Sequence, residues 1–125
     1  MTLHNVFIAL GSNTSDRKRM LTKAFEKCKE HVVIDLCSPV IETTSVGGGS
    51  AHYLNQMVCG KTSLTIDELT TFTKRLEDEL GRDRTQRENV AIDIDIMLYD
   101  QQKLHSKDWE RDYIKQLLTL IETHQ

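Results

Sequence analysis

The spacing of hydrophobic positions changes several times along the chain, and each change marks an element. Residues 5–10 (NVFIAL) hold an apolar run of strand length, and Gly11-Ser12-Asn13 reads as the turn that ends it. Between 17 and 31, Met20, Leu21, Ala24, Phe25 and Cys28 recur at helical spacing, which predicts an amphipathic helix. Residues 32–41 are rich in β-branched side chains and read as a second strand. A third strand follows at 53–62, after a loop marked by Gly47-Gly48-Gly49. Thr65 and Glu68 have the spacing of a capping box ahead of Ile66, Leu69, Phe72, Leu76 and Leu80, a helix that should stop near Gly81. A polar loop at 82–89 leads to a fourth strand at 90–98, and the tail at 109–123 is helical in pattern.

The order β-α-β-β-α-β plus a tail is that of split βαβ units. It predicts an α+β fold: a ferredoxin-like sandwich with a four-stranded antiparallel sheet, both helices on one face, and a C-terminal helix. The other face would be free for a ligand.

Composition narrows the partners. At 125 residues and 38 % apolar content, one domain with a modest core is expected. A net charge of -3 lacks the basic excess that duplex binding calls for, so no nucleic acid is expected. No apolar run is long enough to cross a membrane, and no secretory leader is visible. Cys28, Cys37 and Cys59 are odd in number and far apart, which argues against a disulfide framework and points to small core residues in a reducing cytoplasm. A monomer or weak dimer is expected.

The chemistry concentrates at Ile92-Asp93-Ile94-Asp95-Ile96. Strict alternation puts the isoleucines on the helix side and both aspartates on the open side, with Cα atoms about 6.5 Å apart. Paired carboxylates repel unless a cation lies between them, and magnesium takes one or two carboxylates together with phosphate oxygens. Arg82, Arg84 and Arg87 crowd the loop just before this strand, and guanidinium groups fork onto phosphates. Metal and polyphosphate therefore make one reading; a solvated strand face and loop make the other. Asn55 can present an amide to a heterocycle edge or to the sheet. Trp109 and Tyr113 lie four apart and should share one helix face, docking the tail onto the core. His105 and Arg111 read as surface groups when taken alone.

Taken together, the residues resemble the 6-hydroxymethyl-7,8-dihydropterin pyrophosphokinases. The resemblance covers about 6–118. It rests on Ala9-Leu10-Gly11-Ser12-Asn13, Glu42-Thr43-Thr44-Ser45-Val46-Gly47, Tyr53-Leu54-Asn55, Glu77, Leu80-Gly81-Arg82, Arg84 and Asp93-Ile94-Asp95-Ile96-Met97-Leu98, with the spacing of His105 to Arg111 and an aromatic at Tyr113. It implies transfer of pyrophosphate from ATP to 6-hydroxymethyl-7,8-dihydropterin in folate synthesis, with release of AMP and use of two magnesium ions. Asp93 and Asp95 would ligate both ions, and Arg82 and Arg87 would act beside them. Glu77, Arg82, Arg84, Arg87, Ile96, His105 and Arg111 would line the ATP side. Thr43, Thr44, Val46, Tyr53, Asn55 and Tyr113 would hold the pterin. The resemblance has departures: Val90 stands where the family has an arginine, Ser106 stands for a proline, and the chain ends soon after Leu118. They support an alternative, a weak or inactive paralogue that binds nucleotide or pterin. The loops 14–17, 47–52 and 82–89 flank the predicted groove and should be mobile without ligand.

Overall fold

The computed structural model describes residues 2–44, 52–86 and 89–123. Along the chain run β1 (His4–Ser12), α1 (Arg17–Cys28), β2 (Val33–Cys37), β3 (Ile41–Thr44), β4 (His52–Thr62), α2 (Ile66–Glu79), β5 (Asp93–Tyr99), β6 (Gln102–Lys103) and α3 (Asp112–Thr123). All strand pairs are antiparallel, in the order β2-β4-β1-β5-β6, with β3 also on β4. This is the expected ferredoxin-like α+β arrangement, extended by a short strand and a C-terminal helix.

The apolar run of β1 becomes the central strand, where β4 and β5 take both of its edges. On one face Leu21, Ala24 and Cys28 of α1 and Leu69, Phe72 and Leu76 of α2 close over Ile8, Leu10, Val58 and the three isoleucines 92, 94 and 96. The capping box at α2 forms as its spacing predicts. Thr65 Oγ1 accepts from the Glu68 amide at 3.1 Å, and Glu68 Oε1 accepts from the Thr65 amide at 2.9 Å. Gly81 leaves the helix at φ +92°, a left-handed conformation that suits glycine.

Six expectations change, five of them local. The segment 32–41 is two strands rather than one, because Pro39 has no amide for the ladder. Ser38 bridges the break: its amide donates to Met57 O at 2.8 Å and its Oγ accepts from the Met57 amide at 2.9 Å. Gly11 and Ser12 do not break β1 but extend it, since both are paired with β4. The last strand begins at Asp93, not at residue 90. Trp109 belongs to a 3-10 turn, Asp108–Glu110, ahead of α3, so it does not share a helix face with Tyr113. Cys28 and Cys59 are buried, but Cys37 is exposed on the edge strand.

The largest change concerns the second face of the sheet. Ile114, Leu117 and Ile121 of α3 pack onto Ala9, Met57, Cys59 and Met97, so half of that face is core and only the other half is open. Alternation carries Asp93, Asp95 and Met97 along the second face. Ile8 pairs with Ile96 but Phe7 pairs with Leu98, leaving Met97 as an extra residue. This bulge returns Tyr99 to the first face.

Leu117 is fully buried between α3 and the sheet. Leu117→Ala should cost about 2–5 kcal/mol in a urea titration. A loss under about 1 kcal/mol would mean that α3 does not bear on the sheet as its burial implies.

Candidate active site

The open half of the second face is assembled by register. Gly11 in β1 is paired on one side with Asn55 of β4 and on the other with Asp93 of β5. Ala9, two residues back, stands opposite Asp95. Directly paired residues share a face, so an amide and two carboxylates flank a floor of the smallest side chains. A Cβ on Gly11 would stand 2.9 Å from Asn55 Oδ1 and 3.7 Å from Tyr53 Cδ2. Glycine is what leaves the floor clear there.

At one end lies Asn55, 5 % exposed. Its Nδ2 donates to Thr43 Oγ1 at 2.6 Å, which orients the amide. Tyr53 is half-buried beside it, and burial, then the charge of Asp93, raises its hydroxyl pKa. Thr44 is exposed at the end of β3, opposite His52.

At the other end three carboxylates converge. One oxygen each of Glu77, Asp93 and Asp95 lies within 4.8 Å of the other two. Glu77 arrives from α2, around the outer edge of β5, where β6 reaches only Leu98 and Tyr99. Its Oε2 accepts from the Ile94 amide at 2.8 Å, and its Oε1 pairs with Arg84 Nη2 at 2.7 Å. The side chain is 2 % exposed. Burial raises its pKa, while the Ile94 amide pulls the other way. Arg82 Nη1 donates to Ile92 O at 3.1 Å and to Asp93 Oδ1 at 3.3 Å, and its Nε is buried without a partner among the described residues. Burial pushes the Asp95 carboxyl up to about 8, and Asp93, Glu77 and Asp108 push the same way. An all-oxygen donor set with unrelieved negative charge suits a hard divalent cation.

The remaining expected residues divide. Tyr113 comes to the carboxylates: burial, followed by Asp108, Asp95 and Asp93, pushes its hydroxyl up to about 12. Arg84 is committed to Glu77 and Asp78, at 2.7 and 2.6 Å. Arg111 stands near Asp108, at 3.8 Å, and His105 is exposed in the turn before it at φ 52°. Ile96 is buried among the helices, so its side chain does not face the groove. Val46 and Arg87 lie outside the described residues, as do 47–51 and Glu88 of the expected mobile loops. Val90 is 5 % exposed, so its side chain is buried rather than presented to the groove. Sequence reasoning missed Ala9, Gly11 and Asp108. A signal for the first two was present: small residues alternate along one face of an otherwise bulky central strand.

The fold and the site together define a ferredoxin-like α+β domain with a cation-ready carboxylate cluster, a guanidinium on it, and an amide pocket across a flat floor. Residues 7–123 match the family model for 7,8-dihydro-6-hydroxymethylpterin-pyrophosphokinase, and the chain belongs to that family. It is 38 % identical over 104 residues to the 2-amino-4-hydroxy-6-hydroxymethyldihydropteridine pyrophosphokinase of Aquifex aeolicus, covering 82 % of this chain and 65 % of that protein. The enzyme of the same name from Bacillus subtilis is 37 % identical over 105 residues, covering 81 % and 63 %. That from Porphyromonas gingivalis is 32 % identical over 132 residues, covering 91 % and 88 %. The chain thus spans a little under two thirds of the first two relatives.

An acid with a raised folded pKa holds its proton more tightly folded than unfolded. Its destabilising effect is therefore absent below about pH 4 and grows as pH climbs toward 8. In metal-free buffer, Asp95→Asn should raise the Tm by more at pH 8 than at pH 5. A gap that does not change with pH would remove the repulsion argument.

Proposed function

We propose that this chain transfers pyrophosphate from ATP to the hydroxymethyl group of 6-hydroxymethyl-7,8-dihydropterin, releasing AMP. The observation that supports the reading is the three-strand register Asn55–Gly11–Asp93, in which an amide able to meet a heterocycle edge and a carboxylate able to hold a cation for a polyphosphate flank one clear floor. Family membership and the relatives' names support the same reaction.

In the reaction the pterin hydroxyl oxygen bonds to the β-phosphorus, the bond from that phosphorus to the oxygen bridging to the α-phosphate breaks, and AMP leaves. The hydroxyl proton passes to solvent or a nearby carboxylate. The oxygen donors of Asp93 and Asp95 suit magnesium, two ions with ATP, which would neutralise phosphate charge and orient the chain for in-line transfer. Each Glu77 oxygen already has a partner, Arg84 on Oε1 and Ile94 on Oε2, so its part would be to hold β5 and lend charge to the site beside the two aspartates. Arg82, whose guanidinium already stands at Asp93, would stabilise phosphate charge beside the metal. Asn55, steadied by Thr43, would read the pterin edge, with Tyr53 and Tyr113 against its ring. The ATP side would be completed by Arg84, Arg87, His105 and Arg111 and by the main chain of Ile96, and Thr44 and Val46 would border the pterin. Val90 is buried and offers no charge to a phosphate, so that contact would fall to Arg82 and its neighbours.

The test is AMP release from ATP with magnesium and the pterin. Release should depend on the pterin, and Asp95→Ala should lower kcat by about 100-fold or more. Pterin-independent release, or an Asp95→Ala enzyme as fast as the wild type, would overturn the assignment. Gly11→Ala pushes a Cβ against Asn55 Oδ1. It should raise the pterin KM by about 10-fold, with the KM for ATP nearly unchanged. Equal effects on both would place the ligands differently.

A further inference from the structure

The Gly11-Ser12-Asn13 motif is only partly used by the groove. Gly11 clears the floor, but Ser12 and Asn13 face another segment, 89–92, which joins the arginine loop to β5. Ser12 is fully buried, and its Oγ donates to Ala91 O at 2.6 Å, with Val90 O at 3.4 Å. The Asn13 amide donates to Val90 O at 3.1 Å. Its side-chain Oδ1 accepts from the Val90 amide at 2.6 Å. Both polar groups of the Val90 backbone are therefore taken by Asn13, once by main chain and once by side chain. No strand is present at this point, since β1 ends at Ser12 and β5 begins at Asp93. The side chains continue the ladder where the backbones have stopped pairing.

The location gives the clamp its consequence. The loop that begins at Arg82 is tied at its start, where the Arg82 amide donates to Glu77 O at 2.9 Å. Its far end is tied by the clamp, three residues before Asp93. The Val90 side chain is buried beneath it, so this end of the loop is a fixed foot. The direction in which Asp93 enters the groove depends on that foot, since only Ala91 and Ile92 separate Val90 from Asp93.

We propose that Asn13 is a positioning residue, the pin that holds the C-terminal foot of the arginine loop through its Oδ1 bond to the Val90 amide. It touches neither substrate. It acts by setting how Asp93 is presented. The proposal rests on the pyrophosphate-transfer reading for its kinetic consequence, though not for the clamp itself.

Three forms are compared: the wild type, Asn13→Ala, and Asn13→Asp, which keeps the accepting oxygen. Exchange of the Val90 amide is followed by NMR, and AMP release is measured with the pterin and ATP varied separately. In Asn13→Ala the Val90 amide should exchange at least about 10-fold faster, and kcat should fall about 10- to 100-fold, because small misplacements of reacting groups cost that much. The pterin KM should stay within about twofold, since Asn55 and its support are untouched. Asn13→Asp should recover Val90 protection and most of kcat. The proposal is overturned by unchanged Val90 exchange in Asn13→Ala, by a parallel change in kcat and pterin KM, or by an aspartate variant no better than the alanine one. If Asn13→Ala does not fold, the folded aspartate variant decides: wild-type protection and kcat support the pin, and loss of either overturns it. If the wild type itself releases no AMP, the functional reading fails, and Val90 exchange alone then judges the clamp.

Discussion

Three carboxylates held within 4.8 Å of one another around one strand edge are the constraint on which the site depends. Burial and the charge of Asp93 disfavour the ionised form of both Glu77 and Asp95 there. The structure answers with donors from three directions: the Ile94 amide and Arg84 on Glu77, and Arg82 on Asp93. Among the described residues Asp95 receives no such cation, and its carboxyl is pushed up to about 8. Negative charge left uncompensated at a built site is what a cation relieves on binding, and it is a common mark of function rather than of stability.

That cluster requires an open strand edge and an open half-face, and the rest of the fold provides both. The outer edge of β5 is left to side chains because β6 pairs only with its last residues. The half of the second face beyond Ala9 and Met57 is sealed by α3. The groove is what remains, floored by Gly11 and Ala9. Closing one half of the face gives the small domain a second core, and leaving the other half bare gives it a ligand surface. A single strand serves both, because plain alternation puts Asp93, Asp95 and Met97 on one face, and the bulge shifts the phase only beyond Met97.

Much of this was legible along the chain. Alternation in Ile92–Ile96 placed the isoleucines inside and the aspartates outside, and the structure agrees. The capping box and Gly81 bounded α2 because those signals are local hydrogen bonds and a local backbone angle. Errors arose where a distant segment overrode a local signal. Gly11 and Ser12 look like a turn, yet β4 pairs with both and keeps them in β1. Trp109 and Tyr113 look like one helical stripe, yet the indole Nε1 donates to Leu104 O at 2.9 Å in a separate turn.

By itself, then, the sequence determined the element types, the ferredoxin-like order, the face on which the aspartates stand and the family to which the chain belongs. Those follow from periodicity, capping and motif spacing, which act over a few residues. Tertiary structure alone decided that Glu77 joins the aspartates from another element, that α3 closes half of the second face, and that Val90 is buried under a clamp rather than facing the groove. These depend on strand register and helix docking across long separations, and neither leaves a periodic trace in the residues that take part.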